Sequence, residues 1–231
     1  MAVMSGCAGS RPKMEPAQVV EILKAQKTLS AFVHEAPELT LVTWDGGVYR
    51  GTTPADGSAQ KNGNSGPAPV RVEAVPAGKF GGKVKDPSSD ARQYFVSPLE
   101  RLFPEIQVRY RDETANDGVY RKLHGELGNE VVAEFRIAGW SVIRSTTFPD
   151  RYQFRVFGKG RFFRPADGQV LWEQDCFSET PDASDNPTMP ELTANDGELA
   201  AGVLSSLAFR CGGGIGAAFA DSARPKRWGM K

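Results

Sequence analysis

Two histidines, three cysteines, one serine in a glycine-containing context and a run of glycines are where this sequence could carry chemistry. His34-Glu35-Ala36-Pro37-Glu38 starts like the zinc-protease helix motif, but position 38 is Glu where the second His belongs. Pro37 would also break such a helix. His124 stands in no metal-ligand spacing. Gly139-Trp140-Ser141-Val142-Ile143 lacks the final Gly of a nucleophile elbow and lies inside a strand-like run. Gly212-Gly213-Gly214-Ile215-Gly216 follows a helix-like segment, whereas a phosphate-cradling loop follows a strand and opens a helix. A helix break, or close packing of glycine against a sheet, is the expectation there. Asp182-Ala183-Ser184-Asp185-Asn186-Pro187 lacks the Gly and terminal Glu of a calcium loop. Cys176 and Cys211 are too far apart for a Cys-x-x-Cys redox motif. The sequence therefore predicts no catalytic residue, no metal and no cofactor.

Composition narrows the classes further. The 231 residues carry 28 Lys and Arg against 28 Asp and Glu, which argues against general coating of nucleic acid. Apolar residues at 40% allow one domain with a sizeable core. No run approaches the roughly 18 consecutive apolar residues of a membrane span, so no spanning helix is predicted. Charge is nonetheless uneven. Residues 136–164 hold seven Lys or Arg and one acid, Asp150, while residues 173–198 hold eight acids and no Lys or Arg.

The elements that would position these groups follow from periodicity. Residues 1–16 read as a tether. Val19, Val20, Leu23, Leu29 and Val33 suit a helix over 17–34, closed by Pro37. Leu39 to Trp44 is strand-like, and Asp45-Gly46-Gly47 suggests a hairpin turn before Val48-Tyr49. Residues 51–69 and 76–92 read as flexible loops on either side of a short strand, Val70 to Val75. Ser97-Pro98 would open a short helix. Val131–Ile143, Arg151–Phe163 and Gln169–Phe177 form an antiparallel meander, with Pro165-Ala166-Asp167-Gly168 as one turn. In the middle strand, period two puts Tyr152, Phe154 and Val156 on the core and Arg151, Gln153 and Arg155 on the other face. Residues 178–195 read as an acidic loop. Leu199, Val203, Leu204, Leu207, Ala208, Cys211, Ile215 and Phe219 form the stripe of one long helix over 196–219. Asp196 and Glu198 sit at its start, and a basic tail follows from 223. The predicted class is α+β: an antiparallel sheet with amphipathic helices packed on one face, as a single domain over 17–222.

The odd number of cysteines asks whether two pair while the third has another role. Cys176 ends a strand-like run and Cys211 lies on the following helix, so a helix packed back on its sheet would join them as a disulfide. Two buried reduced thiols are the alternative. Ser5-Gly6-Cys7 resembles the lipobox of bacterial lipoproteins, although Met4 stands where Leu is usual and only six residues precede Cys7. That resemblance implies lipidation at Cys7, a truncated signal peptide and anchoring to a membrane. Ala8 in place of Asp implies, by the same resemblance, sorting to the outer membrane of a Gram-negative cell, facing the periplasm. A Trp-Glu strand ending in Cys, an acidic loop and a Cys-bearing helix, over about residues 150–220, is similar to small bacterial lipoproteins of uncharacterised type.

The element order also resembles the periplasmic module of the TolB N-terminal domain and of auxiliary lipoproteins of ABC transporters. It implies a non-enzymatic binding or accessory module of the cell envelope, of a transport-associated kind. Its partners would be the membrane, through the lipid, and an envelope protein or anionic envelope component, with no nucleic acid. The candidate contact residues are Arg151, Arg155, Lys159 and Arg161 on the odd-numbered strand face. The rival readings are a periplasmic hydrolase whose site is assembled from distant residues, and a small-molecule carrier with an apolar cavity.

Overall fold

A computed structural model describes residues 14–44, 70–115 and 117–224 of the chain. The first helix, α1 (Pro16–Gln26), opens on a Glu15–Gln18 capping box and buries Val19, Val20 and Leu23. It begins at the last residue expected to belong to the tether, and Met14 already donates its N–H to the Leu171 carbonyl at 2.7 Å. The helix is also shorter than expected. Lys27 takes a left-handed conformation, φ 65°, and its N–H closes on the Leu23 carbonyl at 2.9 Å. The chain leaves as a strand, β1 (Thr28–Val33). The remaining strands are β2 (Leu39–Trp44), β3 (Val70–Val75), β4 (Gln107–Thr114), β5 (Val132–Arg144), β6 (Tyr152–Arg164) and β7 (Gln169–Glu179). The remaining helices are α2 (Ser88–Leu102), α3 (Asp117–Leu127), α4 (Met189–Thr193), α5 (Glu198–Ala208) and α6 (Gly214–Ala223). The expected hairpin turn at 45–47 and the loop at 51–69 lie outside the described residues.

The fold class is α+β, organised around β5. On one side β6 pairs antiparallel with it, and β7 pairs antiparallel with β6. On the other side β1 runs parallel to Ala133–Phe135 and β2 runs parallel to Ser141–Ile143. β1 and β2 thus lie end to end along one long strand. β4 extends the first branch in parallel, and β3 extends the second in antiparallel fashion. The meander is antiparallel as expected, but the whole sheet is mixed. Three pairs are parallel: β1 with β4, β1 with β5, and β2 with β5. β1 and β4 are not expected as strands, and the parallel direction of β2 on β5 is set by the long connection between them. A register shift in β5 between Ile137 and Gly139 changes which parity faces the helices: Phe135 and Ile137 before it, Trp140 and Val142 after it. The Gln26 side chain stitches α1 to the start of β5, donating to the Thr28 and Val131 carbonyls and accepting from the Val131 N–H at 2.6–2.8 Å.

The helices cover one face. Phe95 of α2 packs on Phe135, Phe162 and Trp172, and Phe219 of α6 packs on Phe162 and Trp172. Pro98 lies inside α2 rather than at the start of a helix. Proline leaves the carbonyl four residues back without its usual donor, and Ser97 Oγ donates to that Tyr94 carbonyl at 3.3 Å. The expected loop over 76–92 contains a 3₁₀ turn, Ala77–Lys79, and the first turn of α2. The expected acidic loop is strand to Glu179, and later holds α4 behind a Thr188–Glu191 capping box.

The expected long helix is instead α5, a π-helical turn over Phe209–Gly213, and α6. Asp196 lies before α5 in a left-handed conformation and accepts the Gly82 N–H at 2.7 Å. The glycines serve a helix crossing rather than a helix–sheet contact. A Cβ at Gly212 would lie 2.1 Å from the Ala91 carbonyl oxygen, and one at Gly216 would lie 2.2 Å from that of Phe95. Ala91 and Phe95 are one helical turn apart, as are Gly212 and Gly216, so two backbones meet along matched rows. Met189–Ala223 has the length and hydropathy of a membrane span, but half of its most apolar window is buried. Leu204, Leu207, Cys211, Ile215 and Phe219 belong to the main core, so we read these as core helices.

Candidate functional site

The face of the sheet turned away from this helix layer holds the predicted basic residues. Arg155, Lys159 and Arg161 alternate along β6, and β7 places an acid opposite each: Arg155 pairs in register with Glu179, Lys159 with Asp175 and Arg161 with Glu173. Arg155 Nε donates to Glu179 at 2.9 Å, and Lys159 Nζ lies 3.4 Å from Asp175 and 3.7 Å from Glu173. Arg151 stands apart from this column. It bridges to Thr188, donates to the Asn186 carbonyl at 2.9 Å and reaches Glu191 at 3.4 Å. The four candidates are thus not one free cationic patch; each meets an acid of this chain. Three of those acids, Glu173, Asp175 and Glu179, stand on β7.

Between the charged rows sits an aromatic row. Phe157 and Phe177 oppose each other in register, 48% and 51% exposed, with ring centroids 4.6 Å apart. Gly139 is the β5 partner of Phe157, and nothing lies within 4 Å of where its Cβ would be. Extending the period-two reading of β6 from Arg155 by two residues would have found Phe157 on this face.

At one end of the face, the small α3 covers a second apolar cluster, Phe32, Ala115, Tyr120, Leu127, Val132 and Phe163. Glu134 is 3% exposed there and ringed by donors. Arg161 donates to both carboxylate oxygens at 3.0 Å, Tyr120 Oη donates to Oε2 at 2.6 Å, and His34 Nε2 meets Oε1. The Arg161 guanidinium also lies over the Phe163 ring at 4.4 Å. Burial pushes the Glu134 carboxyl up, but the bonds from His34, Arg161 and Tyr120 outweigh it and hold the group below its ordinary value. A carboxylate accepting this many bonds is a locked counter-charge rather than a free base. Sequence analysis missed this group. Its signal was a single acid within Val131-Val132-Ala133-Glu134-Phe135, a run whose burial demands a partner for the charge.

Cys176 and Cys211 are joined by a disulfide, Cα atoms 5.3 Å apart, tying β7 to the π-helical turn. Cys7 and the His124 side chain lie outside the described residues. Among the described residues no group of three or more His, Cys, Asp or Glu is gathered as for a metal ion. An open groove of about 430 Å³ runs beside α5, lined by Thr180, Leu199, Val203, Ser206 and Arg210 among others.

No family model matches the sequence, and no curated protein matches it. Among solved structures, the chain is similar to protein XCC0632 of Xanthomonas campestris, a DUF330 protein, at 9% identity and TM-score 0.40, covering 84% of each chain. It is also similar to the PelC dodecamer of Paraburkholderia phytofirmans, at 13% identity and TM-score 0.36, over 60% of this chain and 77% of that one. A third is lipoprotein GNA1162 of Neisseria meningitidis, at 16% identity and TM-score 0.33, over 52% of this chain and 82% of that one. With every TM-score below 0.5, none of these likenesses extends to function.

Proposed function

We propose that this chain is a lipid-anchored accessory binding module of the bacterial cell envelope that catalyses no reaction. The observation that carries the reading is the one-sided sheet. α1, α2, α5 and α6 cover one face, while the other, covered by α3 at one end, bears exposed aromatic and charged rows across β6 and β7. A bare sheet face is suited to contact with a macromolecule, whereas enzymes and carriers concentrate their chemistry in concave pockets. The disulfide supports a location outside the reducing cytosol. The anchor rests on Ser5-Gly6-Cys7, and Ala8 in place of Asp after it supports placement at the periplasmic side of the outer membrane. Several acyl chains on one cysteine would hold the chain there far more firmly than a single chain.

Intact mass of the native protein extracted from membranes tests the anchor and the disulfide together. The expected mass includes an acylated Cys7 as the first residue and two fewer hydrogens for the bonded cysteines. With a full signal sequence, Cys7→Ser should move the protein to the soluble fraction. An unmodified native mass, or unchanged membrane association of C7S, would remove the anchor from the reading.

A further inference from the structure

The open face of β6 and β7 sorts its charges by strand. Along β6 the outward residues Arg155, Phe157 and Lys159 precede Arg161, which is engaged with Glu134; opposite the first three in register on β7 are Glu179, Phe177 and Asp175. Across β6 and β7 every cation of these rows stands on one strand and every anion on the other, with the two exposed rings in the middle row; Arg136 of β5 continues the Lys159 row on the side away from β7. Asp175 is 78% exposed even though Lys159 reaches it. We propose that this face is an isologous interface on which a second copy of this chain docks, about a two-fold axis running parallel to the strands between β6 and β7.

Half a turn about that axis lays β6 of each copy over β7 of the other and leaves positions along the strands unchanged. Phe157 then lies over Phe177 of the second copy, Lys159 over Asp175 and Arg155 over Glu179. The contact is made twice, as two-fold symmetry requires. Each cation gains an anion across the interface in addition to the one beside it, so the charges alternate in both directions. A two-fold axis across the strands does the reverse: it lays β6 on β6, Lys159 against Arg155, and β7 on β7, Asp175 against Glu179. The charge pattern therefore selects the strand-parallel axis, and with it the aligned packing common for stacked sheets. The open flank at Gly139 leaves room for a ring of the second copy to settle against Phe157. The uncovered rows are few, so the dimer is a weak, concentration-dependent one rather than an obligate one. This inference names a second copy of the chain as an occupant of the same face that the binding reading uses, and it does not rest on the anchor.

Sedimentation equilibrium of the full oxidised chain over a concentration series tests it. The expected result is a monomer–dimer equilibrium that F157S and F177S each weaken by about tenfold, with unchanged melting temperature. The decisive arm uses K159E and D175K. Each alone puts like charges across the axis and weakens self-association. Mixed in equal amounts, the two chains put opposite charges at both crossings, and dimerisation returns. Any effect inside one chain is the same in mixed and unmixed samples, so recovery on mixing reports contact between copies. If K159E does not fold, R155E mixed with E179R makes the same test one row away. A wild-type chain that stays monomeric throughout overturns the proposal. So does a dimer indifferent to F157S and F177S, or a mixture no more associated than its components.

Discussion

Glu134 and Arg161 stand directly opposite each other in the β5–β6 register and share two hydrogen bonds of 3.0 Å, with Glu134 buried. Removing the carboxylate strands the Arg161 guanidinium, which is itself only partly exposed, and takes away the acceptor of the hydrogen bond from the Tyr120 hydroxyl of α3. Glu134→Ala should cost about 2–4 kcal/mol, at the lower part of the range for a broken buried pair because Arg161 retains some water. Urea unfolding at neutral pH checks this.

The same group sets an acid dependence. Its folded carboxyl lies below the ordinary value of 4.5, so the folded state favours the ionised form. That contribution is fully present above the unfolded value and is lost as pH falls through the folded one. The wild-type chain should lose more stability than Glu134→Gln on acidification below about pH 4.5, because the amide cannot titrate. Parallel losses in the two proteins would show that other carboxylates dominate.

Gly212, Gly214 and Gly216 should respond differently to alanine. At 212 and 216 the new methyl meets the α2 backbone, which cannot rotate away, so each substitution should destabilise by about 2 kcal/mol or more. At Gly214 nothing lies within 4 Å and φ is −61°, so alanine should be neutral or stabilising by up to about 1 kcal/mol. Melting temperatures of the three variants decide it.

The Cys176–Cys211 bond closes a loop of 35 residues in sequence separation. Cys176→Ala with Cys211→Ala should lower stability by about 3–4 kcal/mol in the chain-entropy account. Thiol titration of the unlipidated chain under denaturing conditions should find one reactive cysteine without reductant and three with it, from the three cysteines of the sequence; with Cys7 lipidated the numbers fall to none and two.

The charge ladder should contribute little to folding. Arg155 and Glu179 are both partly exposed, and a double-mutant cycle on them should give a coupling of about 0.2–1 kcal/mol that shrinks with added salt. A coupling well above that range would mean the row is more shielded from water than its exposure indicates.

Much of the fold was legible locally, and the exceptions have specific causes. The meander was readable because alternation and the 165–168 turn agree in β6 and β7. The 28–33 segment was read as helix because Leu29 and Val33 continue the spacing of Val19 and Leu23; what ends α1 is Lys27, a residue type with no special preference for φ above zero. β4 was missed because it is an edge strand with mostly polar side chains, QVRYRDET, which leaves no alternating apolar row to read. α3 is different: in DGVYRKLHGEL the residues Val119, Tyr120, Leu123 and Leu127 stand at helical spacing, a legible signal that the sequence analysis does not use. The basic residues of β6 and the acidic run over 173–198 are both legible in the sequence, but which acid meets which cation is not, since it depends on which β7 residue falls opposite each.

The sequence by itself determined what depends on neighbours along the chain: the period-two faces of the meander, the apolar stripe of the last helices, and the plausibility of a bond between a strand-end cysteine and a helix cysteine. Tertiary structure alone decided what depends on residues far apart in number. It laid β1 and β2 end to end on β5, which made the sheet mixed. It gathered His34, Tyr120 and Arg161 around Glu134, from four separate elements or their ends. It also set Gly212 and Gly216 against Ala91 and Phe95. Backbone propensity and side-chain period are local quantities that a sequence displays directly. Register between strands and the partner of a buried charge are settled only when the whole core closes, because each is chosen by the burial of everything else on the same face.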